Sequence, residues 1–257
     1  MLGLGLHIGV GSPRVRSSSF NIGNLDDLAT WFKFGTNITT TDRDGDGDND
    51  ISWTSSHTDA RTASQSTDAE EPTTTSGYIH FDGDGDNLDL SSSISLTTFT
   101  MFLAIDFDDL SNETVLGKTD DSQMFMRFGF QNNAAKFRFR RGDGSVNNVD
   151  GVMSESLTTG AVNLITIRSF VTPGTSNSTL KVERSTKSGD TITTNEVFSN
   201  TNTTFIHTDS LVLNTIGVQT TASAPADMKL YEWVVFNADL SDSTRQNVQN
   251  DILNRIP

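Results

Sequence analysis

The chain has 257 residues, 34% of them hydrophobic and 16 of them phenylalanine, so it can bury one substantial core. Its net charge of −15 excludes the clustered Lys and Arg that phosphate-backbone binding requires, and argues against nucleic acid and anionic membranes as partners. With no cysteine, neither a disulfide framework nor a thiolate metal site can form, and no apolar run approaches the length of a membrane span.

Residues 1–24, opening "MLGLGLHIGVGSPRVR", show no helical period and only a weak strand pattern. The apolar stretch lacks a charged start and a cleavage site, so it does not read as a secretory signal. Two readings compete: a disordered leader, and an extended arm that orders against a partner. In the second, Leu4, Leu6, Ile8 and Val10 supply apolar contacts while Arg14 and Arg16 supply charge.

From Leu25 onward the pattern has period two. "YIHFDG" and "LDLSSSISL" lead into "TFTMFLAIDF", whose near-continuous apolar run fits a strand covered on both faces. "ETVLGK", "MFMRFGF", "AKFRFRR", "AVNLITIRSF", "TLKVERS", "EVFSN", "SLVLNTIGV" and "MKLYEWVVFN" follow, separated by turn clusters such as "QNNA", "TPGTSNS" and "KSGD". Strands at this spacing predict a sandwich or barrel. The two longest apolar runs, near residues 100 and 232, favour a sandwich with one run central in each of two facing sheets. The C-terminal "LSDSTRQNVQNDILNRI" predicts a helix, capped by Ser241 or Asp242, with Val248, Ile252 and Ile256 on one face. Residues 25–257 read as one domain.

Between two predicted strands lies "TDRDGDGDND", which carries Asp42, Asp44, Asp46, Asp48 and Asp50 at alternate positions. Its opening has the spacing of a calcium loop, with Gly47 giving the backbone freedom for a tight turn. Trp53 stands where the closing bidentate glutamate belongs, and the flanks read as strands. Calcium binding and a solvated hairpin tip both remain open, the second slightly favoured. In "FDGDGDNLD", Asp82, Asp84, Asp86 and Asp89 are accounted for by side-chain-to-backbone turn bonds without a metal.

Catalytic signatures are scarce. Glu113, Glu183 and Glu232 each stand alone, without the paired carboxylates of glycoside hydrolysis. His7, His57, His80 and His207 are isolated, and read as surface or satisfied histidines. Trp31, Trp53 and Trp233 fall inside strand patterns and are expected in the core rather than in a sugar platform. "KFRFRR" alternates Phe137 and Phe139 with Arg138 and Arg140, an amphipathic strand; the Arg141–Asp143 tripeptide is read as chance.

"YIHFDGDGDNLDLS" resembles the first core strand and turn of laminin-G-like domains in the concanavalin A-like lectin/glucanase superfamily. "LKVERSTKSGD" resembles a later hairpin of these domains, and "MKLYEWVVFNADLSDSTRQNVQNDIL" their closing strand and helix, with Glu232 in the usual acidic place. The front, with its two Trp-bearing strands, is similar to the lead-in of such domains in tailed phages, many of them marine. It departs where "FKFGTN" replaces an aspartate-rich turn, so no site on those aspartates is implied.

The resemblance implies an all-β fold: a concanavalin A-like jelly-roll sandwich of two antiparallel sheets with a short C-terminal helix. It also implies a non-enzymatic virion structural protein, a capsid decoration, neck or tail component, held to other virion proteins through its arm. On that reading the chain is a homo-oligomer or part of a large assembly. The alternative is an adhesin module that binds host surface glycans, with calcium as its one candidate cofactor.

Overall fold

The computed structural model describes residues 20–42, 50–75, 77–111, 113–119, 125–131, 134–140, 148–175, 177–206, 210–218 and 224–257. Strands are numbered in chain order. The first sheet runs β15 (Thr191–Ile206), β14 (Asn177–Ser188), β13 (Asn163–Val171), β8 (Phe99–Phe107), β17 (Asp227–Phe236), β6 (Tyr78–Asp82), β5 (Thr73–Thr75), and β1 (Leu28–Phe32) also pairs with β17. The second runs β12 (Asn148–Val152), β11 (Ala134–Arg140), β10 (Phe125–Gln131), β9 (Glu113–Gly117), β16 (Leu211–Ile216), β7 (Leu88–Leu96), β4 (Thr62–Ser64), β3 (Asp50–Thr54), β2 (Ile38–Thr41). Every described strand pair is antiparallel. The molecule is the all-β jelly-roll sandwich that the sequence implied.

Between the sheets lies the main core. Phe81, Phe99, Leu103, Ile105, Phe107, Trp233 and Val235 of the first sheet meet Trp53, Leu88, Leu96, Leu116, Met126, Phe128 and Leu213 of the second. Trp53 and Trp233 are fully buried, and Phe32 stacks on Trp233 with ring centroids 5.5 Å apart. The three tryptophans are core residues, as their strand positions predict.

The outer face of the first sheet is covered as well. The helix α1 (Asp242–Arg255) lays Val248, Ile252 and Leu253 over Phe102, Ala104, Leu164, Val234 and Phe236. Ser241 caps it, its Oγ accepting the Thr244 N–H at 3.2 Å, and Ile256 is buried just beyond its end. Residues 20–24, counted with the arm in the sequence reading, join this layer: Ile22 is fully buried in a short turn beside Trp31. Leu4, Leu6, Ile8, Val10, Arg14 and Arg16 lie outside the described residues.

One expectation is corrected. The two longest apolar runs do not face each other across the sandwich; β8 and β17 are hydrogen-bonded neighbours in one sheet. That sheet has a core on both faces, so both of its central strands lose the polar alternation that would otherwise mark an outer face.

Candidate functional site

Between β6 and β7 the chain turns through "DGDGDN". Gly83 and Gly85 adopt φ of 79° and 110°, conformations that a side chain would strain. Asp82 Oδ1 accepts the Asp84 N–H at 2.9 Å, and Asp86 Oδ2 accepts the Asp82 N–H at 2.9 Å. These are the turn bonds expected from the sequence. Asp86 is buried, and burial pushes its carboxyl up to about 6.

One flank of this turn opens into a cavity of about 410 Å³ lined by Glu70, Asp84, Gly85, Asn87, Asp89 and Thr119, among others. Its wall is held by amides. Gln65 Nε2 donates to Asn87 Oδ1 at 2.9 Å and to Glu70 Oε2 at 3.3 Å, while Asn87 Nδ2 donates to Glu70 Oε2 at 3.4 Å. On the far side, Asn214 accepts the Thr119 N–H at 2.9 Å and donates to Thr119 Oγ1 at 3.2 Å. The Asp84 and Asp89 side chains remain exposed at the rim. Desolvation, then the charge of Glu70, pushes the Asp89 carboxyl above the ordinary range. Among the described residues the lining is rich in acceptors and carries no cationic side chain.

On the other flank, the outer face of the first sheet carries a polar row. Lys229 of β17 lies opposite Asp106 of β8 and His80 of β6. Its ammonium holds Asp108 Oδ2 at 2.7 Å, and His80 Nε2 sits 3.1 Å from the same oxygen. Asp227 borders the group; burial, then the charge of Asp108, raises its carboxyl. His80, isolated in sequence, is therefore part of a cluster with Asp108 and Asp227.

The lone glutamates have structural partners. Glu113 accepts the Asp227 N–H at 2.7 Å, Glu183 holds Arg245 and Gln249 of α1, and Glu232 holds Trp31 and Arg255. A register shift on β17 between Leu230 and Glu232 turns Tyr231 and Glu232 both toward the helix, which is how Glu232 reaches these partners. No signal in the sequence marks that bulge.

The acidic hairpin is formed by β2 and β3, with Thr41 opposite Asp50. Asp42 is exposed at its base, and Asp50 is 3% exposed within β3. Asp44, Asp46 and Asp48 lie outside the described residues, as do Arg141–Asp143, His7 and His207. Arg127 and Arg138 stack over Phe125, with guanidinium-to-centroid distances of 4.4 and 5.9 Å.

No protein-family model and no curated protein sequence matches the chain. Among solved structures it is similar to an HCR/D chain with one tryptophan replaced by alanine, at 10% identity over 88% of this chain and 52% of that one, with a TM-score of 0.52. It is also similar to domain 4 of AbnA, an extracellular arabinanase from Geobacillus stearothermophilus, in complex with arabinotriose: 15% identity, 87% and 98% coverage, TM-score 0.44. A third is the Ruminococcus gnavus sialidase CBM40 bound to α2,3-sialyllactose: 15% identity, 58% and 80% coverage, TM-score 0.40. The first likeness shows a shared fold, and the chain spans about half the length of that structure.

Proposed function

We propose that the chain is a non-enzymatic glycan-binding module that takes a neutral sugar in the cavity beside the Asp82–Asn87 turn. The observation that carries this reading is the acceptor-rich lining of that cavity, braced by the amides of Gln65, Asn87 and Asn214. Sugar hydroxyls are donors that carboxylates recognise well, and a wall already fixed by hydrogen bonds loses little entropy on binding. About 410 Å³ falls within the size range of small-ligand sites. Glu70, Asp84 and Asp89 would repel an anionic sugar, so neutral or amino sugars are the expected class.

The test is a glycan array followed by titration calorimetry, with the wild type and the Asp84→Ala, Asp89→Ala double variant. Both side chains are exposed, so the fold should survive. Binding of neutral glycans that weakens about tenfold or more in the variant supports the reading. A wild type that binds no glycan, or a variant that binds as well, overturns it.

Display on a phage particle is a second reading, compatible with the first. It is supported by the sequence resemblance of the chain's front and closing segments. Removing residues 1–19 should then leave the sandwich folded and abolish incorporation into particles; incorporation of the truncated chain would count against it.

A further inference from the structure

The outer-face cluster on β6, β8 and β17 plays no part in the sugar cavity. The geometry points to a binding site for a first-row divalent transition ion, of the zinc class, formed by His80, Asp108 and Asp227.

One ligand atom from each of these residues lies within 4.8 Å of the others. His80 Nε2 and Asp108 Oδ2 are already 3.1 Å apart. Metal–ligand bonds of about 2.0–2.1 Å place neighbouring donors roughly 2.8–3.0 Å apart in an octahedral shell and roughly 3.3–3.4 Å apart in a tetrahedral one. Those two atoms thus sit at the separation of adjacent ligands, and only Asp227 has to close in. The backbone fixes the arrangement: His80 and Asp227 stand on paired strands, and the Asp108 N–H donates to the Asp227 carbonyl at 3.0 Å.

Charge points the same way. Asp106 and Asp108 share the Lys229 ammonium, and Asp227 adds a third carboxylate beside His80, so among the described residues of the cluster carboxylates outnumber ammonium groups three to one. Asp106 supplies an independent observation. It is 8% exposed, it lies opposite Lys229 in the ladder, and its Oδ1 has no hydrogen-bond partner. A buried carboxylate oxygen left unsatisfied is costly. Lys229 Nζ, 3.9 Å from Asp106 Oδ2, has that carboxylate within reach. When an ion takes Asp108, the ammonium has Asp106 Oδ2 to turn to. The imidazole selects the ion: calcium prefers an all-oxygen shell, whereas one nitrogen and two carboxylates with water suit zinc-class ions.

The full chain, stripped with chelator, would be titrated with zinc chloride and, separately, calcium chloride in a calorimeter. The expected result is one saturable zinc site, with calcium at least about tenfold weaker. His80→Ala and Asp227→Asn should each weaken zinc by about tenfold or more. Lys229→Gln removes the competing ammonium and should tighten zinc, a gain that impaired folding cannot imitate. Asp44→Asn with Asp46→Asn in the acidic hairpin should leave the zinc isotherm unchanged. The proposal is overturned by an absence of saturable zinc binding, by a His80→Ala isotherm equal to that of the wild type, by weaker binding in Lys229→Gln, or by loss of the site in the hairpin variant.

Discussion

Arg255, at the end of α1, places its guanidinium against Glu232 of β17, a carboxylate with no exposed surface. Trp31 donates its indole N–H to the same carboxylate at 2.7 Å, and the Phe34 N–H approaches at 3.4 Å. Burial pushes the Glu232 carboxyl up, and the arginine opposes that shift. Arg255→Met would strand a buried charge and should cost about 2–4 kcal/mol, read as a lower urea midpoint. Adding Glu232→Gln to that variant should recover part of the loss, because the neutral amide needs no counter-ion. An Arg255→Met midpoint equal to the wild type would show that water already screens the pair.

Asp86 makes stability depend on pH. Its folded value of about 6 lies above the ordinary 3.8, so the folded state holds a proton that the unfolded chain has lost between those values. Stability from this group is therefore fully present below about pH 4 and is lost as pH rises through 6. Asp86→Asn removes the charge and keeps an oxygen to accept the Asp82 N–H. It should stabilise the chain at pH 7 by about 1–2 kcal/mol and change little at pH 4. Urea titrations at the two pH values measure the difference, and an equal effect at both would refute the assignment.

Gly217 follows β16 and packs against the same turn. Its φ is 92°, and a Cβ there would meet Phe81 Cδ1 at 2.6 Å and the Asp86 carbonyl at 2.7 Å. Backbone strain and overpacking act together, so Gly217→Ala should cost about 3 kcal/mol. The clash presses on Asp86 directly, and the proposed sugar site should weaken along with global stability. A variant with wild-type stability would mean that the turn yields freely.

The sequence reveals most about features set by neighbouring residues. Period two marked the strands, the apolar run of β8 announced cover on both faces, and the Ser241–Asp242 pair marked the start of α1. Partners distant in the chain left no trace. Gln65, Glu70 and Asn87 read as ordinary loop residues until the fold brings them to one wall of the cavity. His80 looked solitary because its acidic neighbours follow β8 and begin β17. Two apolar runs could not show which sheet each joined, since a doubly covered sheet and two singly covered ones can both supply long apolar strands. The β14–β15 hairpin was underestimated because "TITTNEVFSNTNTTFI" is mostly polar, and pairing with β14, rather than burial of an alternating face, defines that strand.

The helix itself is held by polar side chains as much as by its narrow apolar stripe. Arg245 Nη2 donates to Glu183 Oε1 at 3.0 Å, and Gln249 Nε2 donates to Glu183 Oε2 at 3.1 Å and to Thr166 Oγ1 at 3.0 Å. All three of the anchoring residues Glu183, Arg245 and Gln249 are buried. Glu183→Ala would leave the Arg245 guanidinium with Asp242 and the Leu240 carbonyl, and would take one acceptor from Gln249. The loss falls on the contact between α1 and β14, while the inter-sheet core, built from other residues, is untouched. Local opening should therefore precede global unfolding. Amides of residues 242–255 should exchange through an opening of lower free energy than amides of β8 and β17, and Glu183→Ala should lower the helix opening by about 2–3 kcal/mol. Equal opening free energies in helix and strands would instead make α1 part of a single cooperative unit, with Glu183 acting on the whole fold.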